Sequence, residues 1–389
     1  MGLFNRLKTV SKCKLITTDE GGYFQWDGKI YDSDIIRSVI RPQIEAVGKL
    51  NLKHIYETTD ENGEKNISIN PQPYLRFLLM RPNPYMSMQQ FLKKMQTWVE
   101  LNNNAFALII RDENGYATEI YPINAVSADA ITNKTGELFI RFVLTTGKMY
   151  TFPYSELIHF RGDYNRDDIF GESNWYALKP LMEIISTTDQ GIVKAIKNSS
   201  IIRWLLQYQS VSNPEKLKKA AKEFSKSYLD TESEGFGVAA VDGSVKANQV
   251  KPESYVPNAA QMNVSIDRIY SFFNTNQKIV QSSYNEDEWN SFYESKIEPR
   301  ALDIQNEFTW KIFSRREIAC GNYIYAEASN LDCASLTTKL AFVSMVDRGA
   351  MTPNEWREIL KLSPLPGGNK PLRRLDTVTV NEGGETNED

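Results

Sequence analysis

The stretch FNTNQKIVQSSYNEDEW, Phe273–Trp289, separates two runs whose apolar residues recur at helical spacing. Upstream, NVSIDRIYSFF carries Val264, Ile266, Ile269, Phe272 and Phe273. Downstream, EWNSFYESKIEPRALDIQNEFTWKIF carries Trp289, Phe292, Ile297, Ala301, Ile304, Phe308 and Ile312. Between them lie Asn274, Asn276, Gln277, Gln281, Ser282, Ser283 and Asn285, with Lys278 and with neither glycine nor proline. Two helices are therefore expected, held apart by a hydrogen-bonding, barely charged loop. Asn285 with Glu288 three residues on marks the start of the second helix, and Glu286 and Asp287 suit its positive first turn. From Glu286 to Phe313 that helix would run about 42 Å at 1.5 Å per residue. Pro299 lies near its middle, removes a backbone donor and predicts a kink.

Working outward, the chain before this pair reads as an α+β region to about Glu172. Ser33 can cap a helix through about Gly48, and Ser87 with Gln90 forms a capping box for SMQQFLKKMQTWVEL. A hairpin is expected from AFALIIR through Asp112–Glu113–Asn114–Gly115 to YATEIYPI. Further strands are expected at GELFIRFVLTT, KMYTFPY and LIHF. SNWYALKPLMEIISTTDQGIVKAIKN reads as one helix started by Ser173, with Pro180 and Gly191 working against its straightness. A small module follows: a strand in IIRWLLQYQ, a basic helix in PEKLKKAAKEFSKSYL with Pro214 in its first turn, and a hairpin in GFGVAAVDGSVKANQVK turning at Asp242–Gly243. Beyond the kinked helix come a strand in NYIYAEA, a helix near LTTKLAFVSMVD and another capped by Thr352 with Glu355. The final NEGGETNED is polar and reads as disordered.

Composition narrows the function. The chain has 389 residues, enough for one large or two to three modest domains, with 41% hydrophobic and 24% charged residues. Its 45 basic and 49 acidic side chains give a net charge of -4, which argues against an extensive basic nucleic-acid footprint. Cys13, Cys320 and Cys333 cannot make a disulfide framework and are expected to be buried free thiols in a reducing compartment. No apolar run approaches the ~18 residues of a membrane span. The opening MGLFNRLK lacks a signal core, and Arg6 stands where a myristoylation pattern needs Ser or Thr.

Catalytic patterns are weak. His54 and His159, the two histidines, each sit beside apolar residues in strand-like runs and read as buried or edge side chains. Cys320 and Cys333 are thirteen apart with no zinc-type partner. DYNRDDIFGESN begins like a calcium loop with Asp163, Asn165 and Asp167, then places Asp168 where glycine is needed and Asn174 where glutamate is needed. Phosphate-loop, dinucleotide and nucleophile-elbow motifs are missing. Nothing in these residues points to an enzyme, a metal or a cofactor.

Four passages in order carry a resemblance. RPNPYMSMQQF leads through a helix to NNNAFALIIRDENGYATEIYPI; ELIHFRGDYNRDDIFGESNWYALKPLMEII follows, with Glu156, His159, Arg161, Gly171 and Ser173. YNEDEWNSFYESKIEPRALDIQNEFTWKIF then presents Ile297, Pro299 and Glu307. GAMTPNEWREILKLSPLPGGNK presents Gly349, Thr352, Asn354, Glu355, Arg357, Pro364, Gly367 and Gly368. Together, from about residue 1 to 370, they resemble the phage portal proteins, in the branch of siphophages whose heads use the Hong Kong phage capsid fold. Asn102–Asn103–Asn104–Ala105 departs from the Gly-Asn-Ala frequent in that family.

The resemblance implies an α+β, portal-type protomer assembled as a ring, usually of twelve subunits, at one capsid vertex. Residues 1–171 would form the wing, 172–198 a stem helix, 199–257 the clip and 258–274 the second stem helix. Residues 275–287 would form a tunnel loop, 288–330 the kinked helix and its return to the wing, 331–370 the crown and 371–389 a disordered tail. The implied partners are double-stranded DNA in the axial channel, the terminase large subunit, a head-completion or adaptor protein and the major capsid protein. The implied location is the virion, with assembly in the host cytoplasm.

On this reading Asn276, Gln277, Lys278, Gln281, Ser282, Ser283 and Tyr284 face the channel, and Lys278 is the expected phosphate contact. Lys218, Lys219, Lys222 and Lys226 of the clip are either a solvated basic face or a motor contact. The chemistry suits transit. Duplex DNA carries one negative charge per about 1.7 Å, so strong cationic contacts would grip it at each step. Asn, Gln and Ser exchange hydrogen bonds worth only about 0.5–1.5 kcal/mol each. From Ala259 to Phe313 eight acidic side chains (Asp267, Glu286, Asp287, Glu288, Glu294, Glu298, Asp303, Glu307) outnumber Arg268, Lys278, Lys296, Arg300 and Lys311. A ring-forming structural protein of a tail or secretion assembly, without DNA transit, is the alternative; a nuclease would need a clustered acidic metal site.

Overall fold

The computed structural model describes residues 11–14, 30–60, 63, 65–133, 135–163, 165, 167–199, 203–208, 214–224, 245–250, 259–327, 340, 342–360 and 362–372. The chain divides into two compact units, one formed by residues before Trp175 and after Gln277, the other by Trp175–Gln277.

The first unit opens with β1 (Ser11–Lys14) and α1 (Asp34–Gly48). The Ser33 hydroxyl accepts the Ile36 N–H at 3.4 Å, and Ile36, Val39, Ile40 and Val47 make a buried stripe at helical spacing. Then come β2 (Asn51–Thr59), β3 (Lys65–Ile69), α2 (Pro73–Met80) and α3 (Met88–Asn102). The capping box at α3 is complete: Ser87 Oγ accepts the Gln90 N–H at 3.3 Å and Gln90 Oε1 accepts the Ser87 N–H at 3.0 Å. β4 (Asn104–Arg111), β5 (Ala117–Pro122), β6 (Ala125–Thr132), β7 (Leu138–Leu144), β8 (Met149–Pro153) and β9 (Leu157–Arg161) follow. Sheets of order β1-β6-β7-β8 and β5-β4-β9 result, with antiparallel pairing throughout.

β4 is buried on both faces, as its nearly unbroken apolar run requires. Ala105, Ala107 and Ile109 join the larger core with α1, α2 and α3, whereas Phe106 joins Ile140, Phe142, Leu157 and Phe170 in a second core.

In the second unit α4 (Trp175–Ser199) is followed by β10 (Arg203–Tyr208), α5 (Pro214–Phe224), β11 (Val245–Val250) and α6 (Ala259–Phe272). β10 and β11 pair antiparallel from Arg203↔Val250 to Tyr208↔Val245, and α4 packs along α6. The hairpin expected at 235–251 falls largely outside the described residues, and its described strand pairs with β10. α4 begins at Trp175, two residues after the Ser173 expected to start it.

The chain re-enters the first unit at Lys278, within α7 (Gln277–Val280), and continues through α8 (Glu286–Phe292), a π-helical turn at Tyr293–Ile297 and α9 (Glu298–Ile312). At Pro299, where a kink is expected, the helix is interrupted by this π turn. Proline offers no N–H to the preceding turn and crowds it, so the ladder widens just before it and the Glu298 N–H bonds five residues back, to Tyr293 O. α10 (Arg315–Ala319), β12 (Asn322–Glu327), α11 (Val343–Asp347) and α12 (Pro353–Ile359) complete the order. β12 joins β2 and β3 in a third sheet of order β12-β2-β3, tying the chain after α9 to the N-terminal region. Cys320 is exposed, contrary to the expected buried thiol, because it caps α10 where the chain turns at Gly321. Cys333 lies outside the described residues.

β9 is an edge strand, and side chains of α9 close its free edge. Glu307 Oε1 accepts the His159 N–H at 2.9 Å, and Arg300 donates to the Arg161 carbonyl at 2.7 Å. Lys311 donates to Tyr154 O at 2.6 Å, and its ammonium lies 3.8 Å over the Tyr154 ring. Replacing Glu307 by alanine orphans a buried N–H and is predicted to cost about 1–3 kcal/mol in urea denaturation, whereas Glu307→Gln, which keeps an acceptor, is predicted to cost less.

Candidate functional site

The segment between α6 and α8 is wound tightly without glycine. α6 closes in a Schellman motif: Thr275 N–H bonds to Tyr270 O at 2.9 Å and Asn274 N–H to Ser271 O at 3.1 Å, with Asn274 left-handed at φ 50°. One turn later α7 closes in the same way. Ser283 N–H bonds to Lys278 O at 2.9 Å and Ser282 N–H to Ile279 O at 3.2 Å, with Ser282 at φ 57°. Asparagine tolerates the left-handed region well, and serine less so. The expected open loop is thus a one-turn helix between two helix stops.

That turn is amphipathic. Ile279 is 1% exposed and joins the larger core, while Asn276, Gln277, Lys278, Gln281, Ser282, Ser283 and Tyr284 are all exposed. Tyr284 stacks on Trp289 with ring centroids 4.9 Å apart. Asn285 caps α8 reciprocally: its Oδ1 accepts the Glu288 N–H at 2.8 Å, and Glu288 Oε2 accepts the Asn285 N–H at 3.0 Å. The other Glu288 oxygen receives the Lys278 ammonium. The Lys278 contact and then the Asn285 N–H hold the Glu288 carboxyl below its ordinary range. The structure therefore gives Lys278 a carboxylate partner within the chain.

A second polar node, in the first unit, sits where β9 leads toward Trp175. Asn103 caps α3 in the left-handed region at φ 55°. It donates from Nδ2 to Glu172 O and to Asn174 Oδ1, each at 2.7 Å, and its carbonyl accepts the Gly162 N–H at 2.8 Å. Asn104 donates to Asn102 O at 3.0 Å and Gly171 O at 2.8 Å, and accepts the Gly171 N–H at 2.9 Å. Asn174 donates to Glu100 O at 2.8 Å. Gly162 and Gly171 approach Asn103 so closely that any Cβ would collide with it. Asn103 and Asn104 thus fasten Gly162, Gly171, Glu172 and Asn174 to the end of α3. Sequence reading registered this run only as a departure; its signal was three adjacent amides at a helix end, facing a Gly-containing loop.

His159 belongs to this node. Its Nε2 lies 3.1 Å from Asn104 Oδ1 and its Nδ1 3.2 Å from the Tyr154 hydroxyl. Because an amide oxygen only accepts, Nε2 carries a proton and donates it to Asn104 Oδ1. Burial, then the positive charges of Arg161 and Lys311, hold its pKa well below 6.5. His54 is likewise buried, with its Nε2 2.9 Å from Asn322 Oδ1 and its pKa lowered by burial. Among the described residues no group of three His, Cys, Asp or Glu side chains could hold a metal ion. Lys218, Lys219 and Lys222 are exposed on α5, whereas Lys226 lies outside the described residues.

A depressed histidine pKa gives stability that is present above the unfolded value of about 6.5 and is lost as pH falls toward the folded value. Between pH 6.5 and 5 the melting temperature of the parent protein is predicted to fall more steeply than that of His159→Gln. Parallel slopes in differential scanning calorimetry would contradict a neutral buried His159.

Comparison with known proteins gives this architecture a family. The family model described as "Phage portal protein" matches residues 34–360. The portal protein of Enterobacteria phage HK97 is 21% identical over 364 residues, covering 86% of this chain and 80% of its own. Among solved structures, a chain in the neck of an empty GTA particle computed with C6 symmetry aligns with a TM-score of 0.61 at 13% identity, covering 90% of this chain and 98% of the other. A chain in the neck of a native GTA particle computed with C12 symmetry aligns with a TM-score of 0.55 at 13% identity, covering 87% and 95%. With the family model spanning most of its length, the chain belongs to the phage portal protein family.

Proposed function

We propose that copies of this chain form a ring of about twelve subunits at one vertex of a phage head, and that double-stranded DNA is packaged and ejected through its axis. The observation that carries this reading is the family match across residues 34–360. A chain of similar fold in a neck computed with C12 symmetry supports the subunit number. The ring would receive the terminase large subunit during packaging and a head-completion or adaptor protein afterwards, within the shell of the major capsid protein. The protomer divides into wing, stem, clip, tunnel loop, kinked helix and crown at the boundaries given above, and α5 with Lys218, Lys219 and Lys222 belongs to the partner-facing clip.

The tunnel loop is the part that meets DNA. Its exposed side chains are amides and hydroxyls apart from Lys278 and Tyr284, and its backbone is closed by its own hydrogen bonds. Such a surface exchanges hydrogen bonds with phosphate and water at little net cost. Its winding fixes where these groups stand without any grip on the duplex.

Native mass spectrometry with negative-stain imaging tests the ring. Closed rings of about twelve copies with a central hole are expected, and a stable closed dimer would contradict the proposal. Replacing Gln277 and Gln281 together by alanine is predicted to leave those rings intact while lowering the yield of DNA-filled heads. Normal yields would remove the loop from the mechanism.

A further inference from the structure

Lys278 is the only basic side chain between Asn274 and Glu288. It is exposed, at a position where the proposed function brings phosphates close, and it is not left free. Its ammonium is bound by Glu288 Oε1, while the other Glu288 oxygen is fixed by the Asn285 N–H at 3.0 Å. The Glu288 backbone is fixed in turn by Asn285 Oδ1 at 2.8 Å, and the Lys278 carbonyl is fixed by the Ser283 N–H at 2.9 Å. Both partners are therefore held at the backbone, and the carboxylate is oriented by a capping box rather than swinging freely. The neighbours Glu286 and Asp287 are exposed acids in the same first turn of α8.

We infer that Glu288 is an internal counter-ion that withholds Lys278 from DNA phosphate, so that the loop presents hydrogen-bonding groups but no available cation to a passing duplex. This rests on the reading of the segment as the tunnel loop and changes one part of it: Lys278 closes the loop and does not grip DNA. The arrangement has a physical motive. A cation that neutralises a phosphate releases condensed counterions, and the resulting affinity falls with salt by about 0.9 log units per log unit of salt for each contact. In a ring the same cation recurs in every subunit, so a weak contact would become a many-fold brake. A carboxylate built into the adjacent helix start cancels it at its source.

The discriminating variant is Glu288→Gln. Glutamine serves equally at this capping-box position, so the α8 start is kept while the counter-charge is lost. Retention of a short DNA duplex by purified rings is measured across a salt series, with ring integrity checked by native mass spectrometry; Glu288→Ala takes its place if the glutamine variant does not assemble. Gln281→Lys, which adds an uncompensated cation to the same loop, is run beside it. Glu288→Gln is expected to bind the duplex several-fold more tightly than the parent with a steeper salt dependence, and adding Lys278→Gln is expected to remove that gain. If Gln281→Lys tightens binding and Glu288→Gln does not, the counter-ion role is overturned while the loop stays at the DNA. If neither tightens binding, the loop does not meet DNA, and the tunnel reading fails together with the inference.

Discussion

The side-chain amides of Asn103 and Asn104 are the constraint on which the rest of the first unit depends. A helix ending inside a core leaves carbonyls that need donors, and the long connection after β9 leaves backbone groups that need partners. The asparagine run meets both needs at once. It ends α3 in a left-handed residue, starts β4, holds Gly162 through the Asn103 backbone carbonyl, and fastens Gly171, Glu172 and Asn174 through side-chain amides. His159 is drawn into the same network as a neutral ring, which is why a residue that invites a catalytic reading is structural here. The two glycines complete the fit because only a residue without Cβ can come so near Asn103.

A second theme is the use of charged side chains to finish backbone structure. Glu307 and Arg300 close the open edge of β9, and Glu288 caps α8 while holding Lys278. Glu100, 4% exposed, accepts Gln96 Nε2 at 2.5 Å and faces Lys296 of the π turn at 3.4 Å. Glu307 and Arg300 on α9 thus hold α9 to β9, and Lys296 holds the π turn to Glu100 of α3. Glu288 and Glu307, two of the eight acids that outnumber the bases from Ala259 to Phe313, thus have local uses.

Much of this was legible in the sequence wherever a local rule acts alone. The capping boxes at Ser87 and Asn285, the cap at Ser33, and the strands around Phe106 and Ile140 followed from periodicity and end signals. The proline break was expected, but not its π form, since the way a ladder opens depends on what packs beside it. α2 escaped notice because it is short and begins with a proline, and β6 because AVSADAIT mixes small and polar residues whose alternation is shallow. The winding of residues 274–283 was hidden for a sharper reason: its two left-handed positions are taken by Asn274 and Ser282 and not by glycine, so the usual marker of a helix stop was missing. The Lys278–Glu288 pair spans ten residues through two turns and could not be read from spacing.

The account's central claim is that this tightly wound polar segment lines the axial channel of a portal ring. Imaging the assembled ring at a resolution that traces side chains tests this most directly. The account predicts residues 276–284 at the narrowest part of the channel, with Gln277 and Gln281 toward the axis and Lys278 still bound to Glu288. A ring with the same segment on its outer surface, or with Lys278 released toward the axis, would contradict it.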